Sequence, residues 1–103
     1  MRRQESEKAL EARLVKEIQE RGGMCLKYTS QYHRGIPDRI VLMPGGCCYF
    51  AEMKSTGKKP TPLQERAIGQ LREMAHLVAV IDSTEKLEDF LHTIDLEQDM
   101  IAG

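Results

Sequence analysis

The stretch DRIVLMPGGCCYFAEMK, residues 38 to 54, constrains the fold more than any other part of the chain. Pro44-Gly45-Gly46 interrupts two apolar runs of strand length, so those runs read as two strands folded back on each other. Side chains alternate between faces along a strand, which puts Asp38, Ile40 and Leu42 on one face of the first strand. The same alternation puts Cys48, Phe50, Glu52 and Lys54 on one face of the second. A hairpin turning at 44–46 therefore brings Asp38 beside Glu52 and Lys54, at the end away from the turn. Charges scattered independently over a surface need not converge in this way.

The flanking segments read as helices and strands that cover this hairpin. Leu10, Leu14, Val15 and Ile18 give residues 5–21 the spacing of an amphipathic helix, ended by Gly22-Gly23. At about 100° per residue, Glu11 falls inside the apolar arc, and so does Glu7 one turn nearer the fraying end. A carboxylate on a core-facing stripe is costly unless something pairs with it, which singles out Glu11. Residues 24–28 read as a short strand, and 29–37 as a polar loop closed by Gly35 and Pro37. In TPLQ, Thr61 suits a helix N-cap, Pro62 the first helical position and Gln64 the third position of a capping box. Leu63, Ala67, Ile68, Leu71 and Met74 give that helix its apolar face. HLVAVI, 76–81, has the length and continuity of a buried strand. Asp82 and Glu85 read as a second capping pair, ahead of a helix lined by Leu87, Phe90, Leu91 and Ile94, and residues 96–103 as a frayed tail. The predicted order is α-β-β-β-α-β-α, an α/β fold with a mixed sheet flanked by helices on both faces.

With 103 residues, the chain is expected to form one domain, 1–103, with its core at about 7–92. A net charge of −1 argues against a generic polycation that coats nucleic acid. Arg34, Arg39, Lys54, Lys58 and Lys59 nevertheless gather in the middle of the chain, while acidic residues concentrate near its ends. A localised anion site and a plain solvated surface both fit that pattern. Cys25, Cys47 and Cys48 have no metal-binding spacing and read as free thiols in strands; a zinc site using them with His33 lacks a nearby fourth ligand. No run of eighteen apolar residues is present, and no apolar segment follows the basic residues near the start, so an intracellular, non-membrane protein is expected.

Two carboxylates and a lysine at one strand end suit divalent-metal phosphodiester hydrolysis. Asp38 and Glu52 offer hard oxygens for Mg²⁺ or Mn²⁺, and Glu11 could add a further metal or water contact. Lys54 can orient the attacking water or stabilise charge in the transition state. Each residue also has a plainer reading. Pro37-Asp38 is a common turn pair, and Glu52 with Lys54 could be a surface ion pair worth under about 1 kcal/mol. Capping alone accounts for Gln64. Lys58 and Lys59 could be loop charges, and His33 a solvated loop histidine rather than a proton carrier.

In order along the chain, GIPD, a strand pair of about fifteen residues, AEMKS, a basic loop and TPLQ resemble the VRR-NUC family of the PD-(D/E)XK nuclease superfamily. The resemblance runs from about Glu7 to about Phe90. It implies a restriction-endonuclease-like core in which Asp38 and Glu52 are metal ligands and Lys54 is the catalytic lysine. It further implies that the backbone carbonyl of Met53 faces the metal and that Gln64 is the family's glutamine after the core. Glu11 best matches the helix glutamate of similar Holliday-junction resolvases, with Glu7 as its competitor. The implied protein is a metal-dependent DNA endonuclease of the stand-alone phage or bacterial type, leaving 5′-phosphate and 3′-hydroxyl ends. It would act in the cytoplasm, in repair or recombination, as a homodimer on branched DNA (a four-way junction or flap), without a small-molecule cofactor. Arg34, Lys58 and Lys59 are its candidate DNA contacts. The alternatives are a catalytically silent nucleic-acid-binding module of the same fold, a small thiol protein and a plain interaction protein.

Overall fold

The computed structural model describes residues 4–103. The elements follow the order α1 (Glu7–Glu20), β1 (Met24–Lys27), β2 (Arg39–Met43), β3 (Cys47–Met53), α2 (Pro62–Glu73), β4 (Val78–Ile81) and α3 (Thr84–Ala102). This is the order expected from the sequence. The four strands form one sheet in the spatial order β1-β2-β3-β4, antiparallel at the first two pairings and parallel between β3 and β4.

The mixed pairing follows from the connections. Gly45 and Gly46 hold φ of 85° and 81° in the turn between β2 and β3, a region that glycine enters without steric cost. The crossover from β3 to β4 carries α2, which lets those strands run parallel. α1 and α3 cover one face of the sheet, where Leu14, Ile18, Val41, Ala51, Ile81, Leu87 and Ile94 are fully buried. α2 covers part of the other face, with Ile68 and Leu71 packed on Val78, Phe50 and Val80. It stops short of β1, so Met24, Leu26 and Leu42 stay exposed at 57%, 40% and 38%. No described helix is long and apolar enough to cross a membrane.

Helix ends explain where the elements start and stop. Ser6 caps α1 by accepting from the Ala9 amide, and Gly22 closes it with φ 80°. The C-terminal turn of α2 has the same hydrogen bonds, from Ala75 to Arg72 and from His76 to Leu71, but places an alanine at φ 67° where α1 has glycine. The N-cap of α3 is Ser83, not Asp82. The Ser83 hydroxyl accepts from the Lys86 amide, while Asp82 pairs with the Lys86 ammonium at 3.1 Å.

The expectation of a frayed tail over 96–103 is corrected, because α3 continues to Ala102. Three contacts hold it to the β2–β3 hairpin. The Tyr49 hydroxyl donates to Glu97 at 2.6 Å, the Gln98 amide donates to the Pro44 carbonyl at 2.9 Å, and Ile101 lies against Gly45. Near the other end of the chain, Glu5 joins two distant segments. Its backbone pairs with Thr56, and its carboxylate accepts from the amide and hydroxyl of Thr84 at the start of α3.

Candidate active site

β2 and β3 pair Arg39 with Ala51, and one further step of that register sets Asp38 opposite Glu52. The Asp38 carbonyl accepts from the Tyr28 amide at 2.8 Å, so β1 helps fix the backbone there. On the other side, the Lys54 amide donates to the Ile81 carbonyl of β4 at 2.9 Å. The hairpin end is thus held between two neighbours, and α2 begins over it. Asp38, Glu52 and Gln64 line one cavity of about 150 Å³, walled by the loop from Tyr28 to Ile36.

Glu52 is 4% exposed, a burial unusual for a carboxylate. One oxygen, Oε2, accepts from Gln64 Nε2 at 3.1 Å and lies 3.6 Å from Lys54 Nζ. The other, Oε1, is buried with no hydrogen-bond partner among the described residues. Burial first, and the Asp38 charge second, push its carboxyl up to about 7, against the pull of Lys54. Burial raises Asp38 as well, and the nearby Glu11 charge adds to that. The Met53 amide works the other way, donating to Asp38 Oδ1 at 3.3 Å.

Gln64 carries two functions in one side chain. Its Oε1 accepts from the Thr61 amide at 2.9 Å, completing the capping box expected from TPLQ. That contact fixes which end of the amide is oxygen, and so turns the NH₂ toward Glu52. Capping and contact with the site are not alternatives here.

Glu11 does not line this cavity, although its charge reaches Asp38. It bonds Arg39 Nε at 3.1 Å, with both side chains mostly buried. Among the described residues, no three His, Cys, Asp or Glu side chains are grouped as a metal cage. Its position on the apolar arc does require a partner, and Arg39 supplies it. The sequence signal for that role was the basic residue directly after Asp38. Glu7 is exposed in the first turn of α1. Lys58 and Lys59 are exposed on the loop before α2, and Arg34 on the loop before β2 lines a neighbouring cavity.

This topology is that of a known nuclease-type fold. A solved structure described as a VRR_NUC domain superposes with a TM-score of 0.77, covering 85% of this chain and 97% of that one at 23% identity. No protein-family model matches the chain. A protein of Acyrthosiphon pisum secondary endosymbiont phage 1, named "Putative nuclease p44", is 42% identical over 79 residues, which is 77% of this chain and 85% of the relative. The chain belongs to the VRR-NUC domain family.

Proposed function

We propose that this protein is a divalent-metal-dependent DNA endonuclease, with residues 1–103 acting as one nuclease domain. The observation that carries the proposal is Glu52, a buried carboxylate with one oxygen lacking a partner among the described residues, which shares a cavity with Asp38 and lies 3.6 Å from the Lys54 ammonium. Two carboxylates whose proton affinity is raised by burial, one with an unused oxygen, fit a hard divalent cation such as Mg²⁺ or Mn²⁺. Asp38 and Glu52 would hold the ion, with the Met53 carbonyl as a third donor. Glu11, engaged by Arg39, would join only by exchanging that partner. Such an ion, when bound, supplies positive charge against the phosphoryl oxygens and makes water more acidic.

The chain's own groups then divide the remaining work. Gln64 holds Glu52 by one oxygen and leaves the other for the cation. The Met53 amide fixes Asp38. Lys54, next to Glu52, can orient the attacking water and oppose charge that grows on the phosphate in the transition state. The products would be 5′-phosphate and 3′-hydroxyl ends.

Branched DNA cut by a homodimer is the finer form of the proposal. A two-fold dimer presents two sites to two strands, and the uncovered apolar patch of Met24, Leu26 and Leu42 gives a second copy a surface to use. Light scattering would measure the mass in solution, and a monomer with full activity would exclude the dimer. The main test is cleavage of a labelled four-way junction, a flap and a plain duplex, each with EDTA, Mg²⁺ or Mn²⁺ and with Lys54→Ala as control. Metal-dependent cutting that disappears in Lys54→Ala supports the proposal. DNA binding without cutting of any substrate would replace it with a catalytically silent binding module.

A further inference from the structure

A second cavity, of about 350 Å³, adjoins the first between the loop before β2 and the exposed side of α2. His33 lines both. The chemistry proposed above makes no use of it. Its walls carry Tyr32, Arg34, Arg66 and Gln70, and no carboxylate. Tyr32 is 98% exposed, so its ring packs on almost nothing in the protein. Arg13, Arg21, Arg39 and Arg72 are all tied to carboxylates or carbonyls. The side chains of Arg34 and Arg66 have no such partner among the described residues. An otherwise near-neutral chain thus places two unengaged guanidinium groups and an unpacked aromatic ring around one concavity.

The concavity is fixed in place. A Cβ at Gly35, where φ is +85°, would lie 2.3 Å from the Leu63 carbonyl oxygen and 2.9 Å from the Gln64 nitrogen. The loop backbone therefore rests directly on the first turn of α2, which sets Tyr32, His33 and Arg34 across from Arg66. The His33 amide, donating to the Ser30 hydroxyl at 2.9 Å, shapes the loop tip. At the lower end of the ~300–1,000 Å³ typical of small-ligand sites, the cavity has room for one nucleotide and none for a duplex.

We propose that this cavity receives an unpaired nucleotide next to the phosphate that is cut. Tyr32 stacks on its base, and Arg34 and Arg66 hold its phosphates. The substrate class is then DNA with at least one unpaired nucleotide beside the cleavage point, as at a flap or a branch. The assignment rests on the nuclease proposal, whose site shares a wall with this cavity.

The test uses two labelled two-strand DNA duplexes with blunt ends, one fully paired and one with a single unpaired nucleotide. Binding is followed by fluorescence anisotropy with the Lys54→Ala protein, expected to hold DNA without cutting it, and cleavage is followed with the wild type. The unpaired substrate is expected to bind about tenfold more tightly, within the range of one base stacked on an aromatic ring. In the Lys54→Ala background, Tyr32→Ala should bring the two affinities close to parity, and Tyr32→Phe should keep them apart. Arg66→Ala should reduce the slope of log affinity against log salt by about 0.7–0.9, the loss of one phosphate contact. A merely structural role for these exposed residues would leave that slope and the Phe rescue unmoved. If the wild type cuts DNA while the fully paired duplex and the duplex with one unpaired nucleotide bind alike, the nucleotide site is overturned and the nuclease stands. If nothing is cut but the preference exists and Tyr32→Ala removes it, the nucleotide site stands and the chemistry falls.

Discussion

Glu52 occupies a position where a carboxylate is poorly tolerated, between α2 and the sheet and facing Asp38. Because its folded-state pKa of about 7 lies above the ordinary 4.5, the fold favours the protonated form. That contribution to stability is complete below about pH 4.5 and is lost as the pH rises through about 7. At ~1.4 kcal/mol per pKa unit, the ionised group costs on the order of 3 kcal/mol. Glu52→Gln should therefore melt higher than the wild type at pH 8 without added metal, with the gap closing by pH 5. Arg21 holds the Glu17 and Asp95 carboxyls low, which acts in the opposite sense, but equally in both proteins. Equal melting differences at both pH values would mean that Glu52 is not ionising in this range. Gln64 permits a second comparison. Thr61→Ala and Gln64→Ala should each lose about 1 kcal/mol from the cap, measured by denaturant unfolding. Only Gln64→Ala should also lower cleavage, by about tenfold or more, since only it frees the Glu52 carboxylate. The convergence of Asp38, Glu52 and Lys54 was legible in the sequence, because period two and one turn fix it locally. The Glu11–Arg39 bond was not, because it depends on how a helix 28 residues away packs on the sheet.

Among the elements, those with strong end signals were readable and those with ambiguous ends were not. TPLQ specified its helix start to the residue because the cap, the proline and the glutamine all agree. The expected cap Asp82 was displaced by its neighbour Ser83, while Asp82 pairs with the Lys86 ammonium. The end of α2 had no glycine to mark it, yet its backbone adopts the left-handed turn at Ala75. An L-residue with a Cβ is strained there by ~1–2 kcal/mol, whereas glycine is not. Ala75→Gly should accordingly raise stability by about 0.5–1 kcal/mol, after allowance for the greater freedom of glycine in the unfolded chain. Thermal melting at neutral pH checks this, and no gain would place the turn outside the left-handed region.

The molecule as a whole was predictable in topology and not in how its ends are secured. A hairpin followed by a helical crossover allows few arrangements, so the element order, the mixed sheet and the layering could be read from turn chemistry and apolar spacing. The anchoring of residues 96–103 was concealed because it is long-range: Glu97 and Gln98 serve Tyr49 and Pro44 across more than forty residues of chain. Deleting residues 97–103 should cost about 2–3 kcal/mol, since two hydrogen bonds at ~1 kcal/mol each and the Ile101 contact are lost together. Chemical denaturation would measure it, and an unchanged midpoint would show that the last turns contribute nothing. The bonds of Glu5 to Thr84 span 79 positions, and this sets a clock on the newborn chain. At ~5–20 residues per second of synthesis, Glu5 waits roughly 4–16 s for its partner to be made. Asp38 and Glu52, only fourteen positions apart, can meet early in that interval. The ribosome thus releases the carboxylate pair before it releases the residue that latches the fold around it.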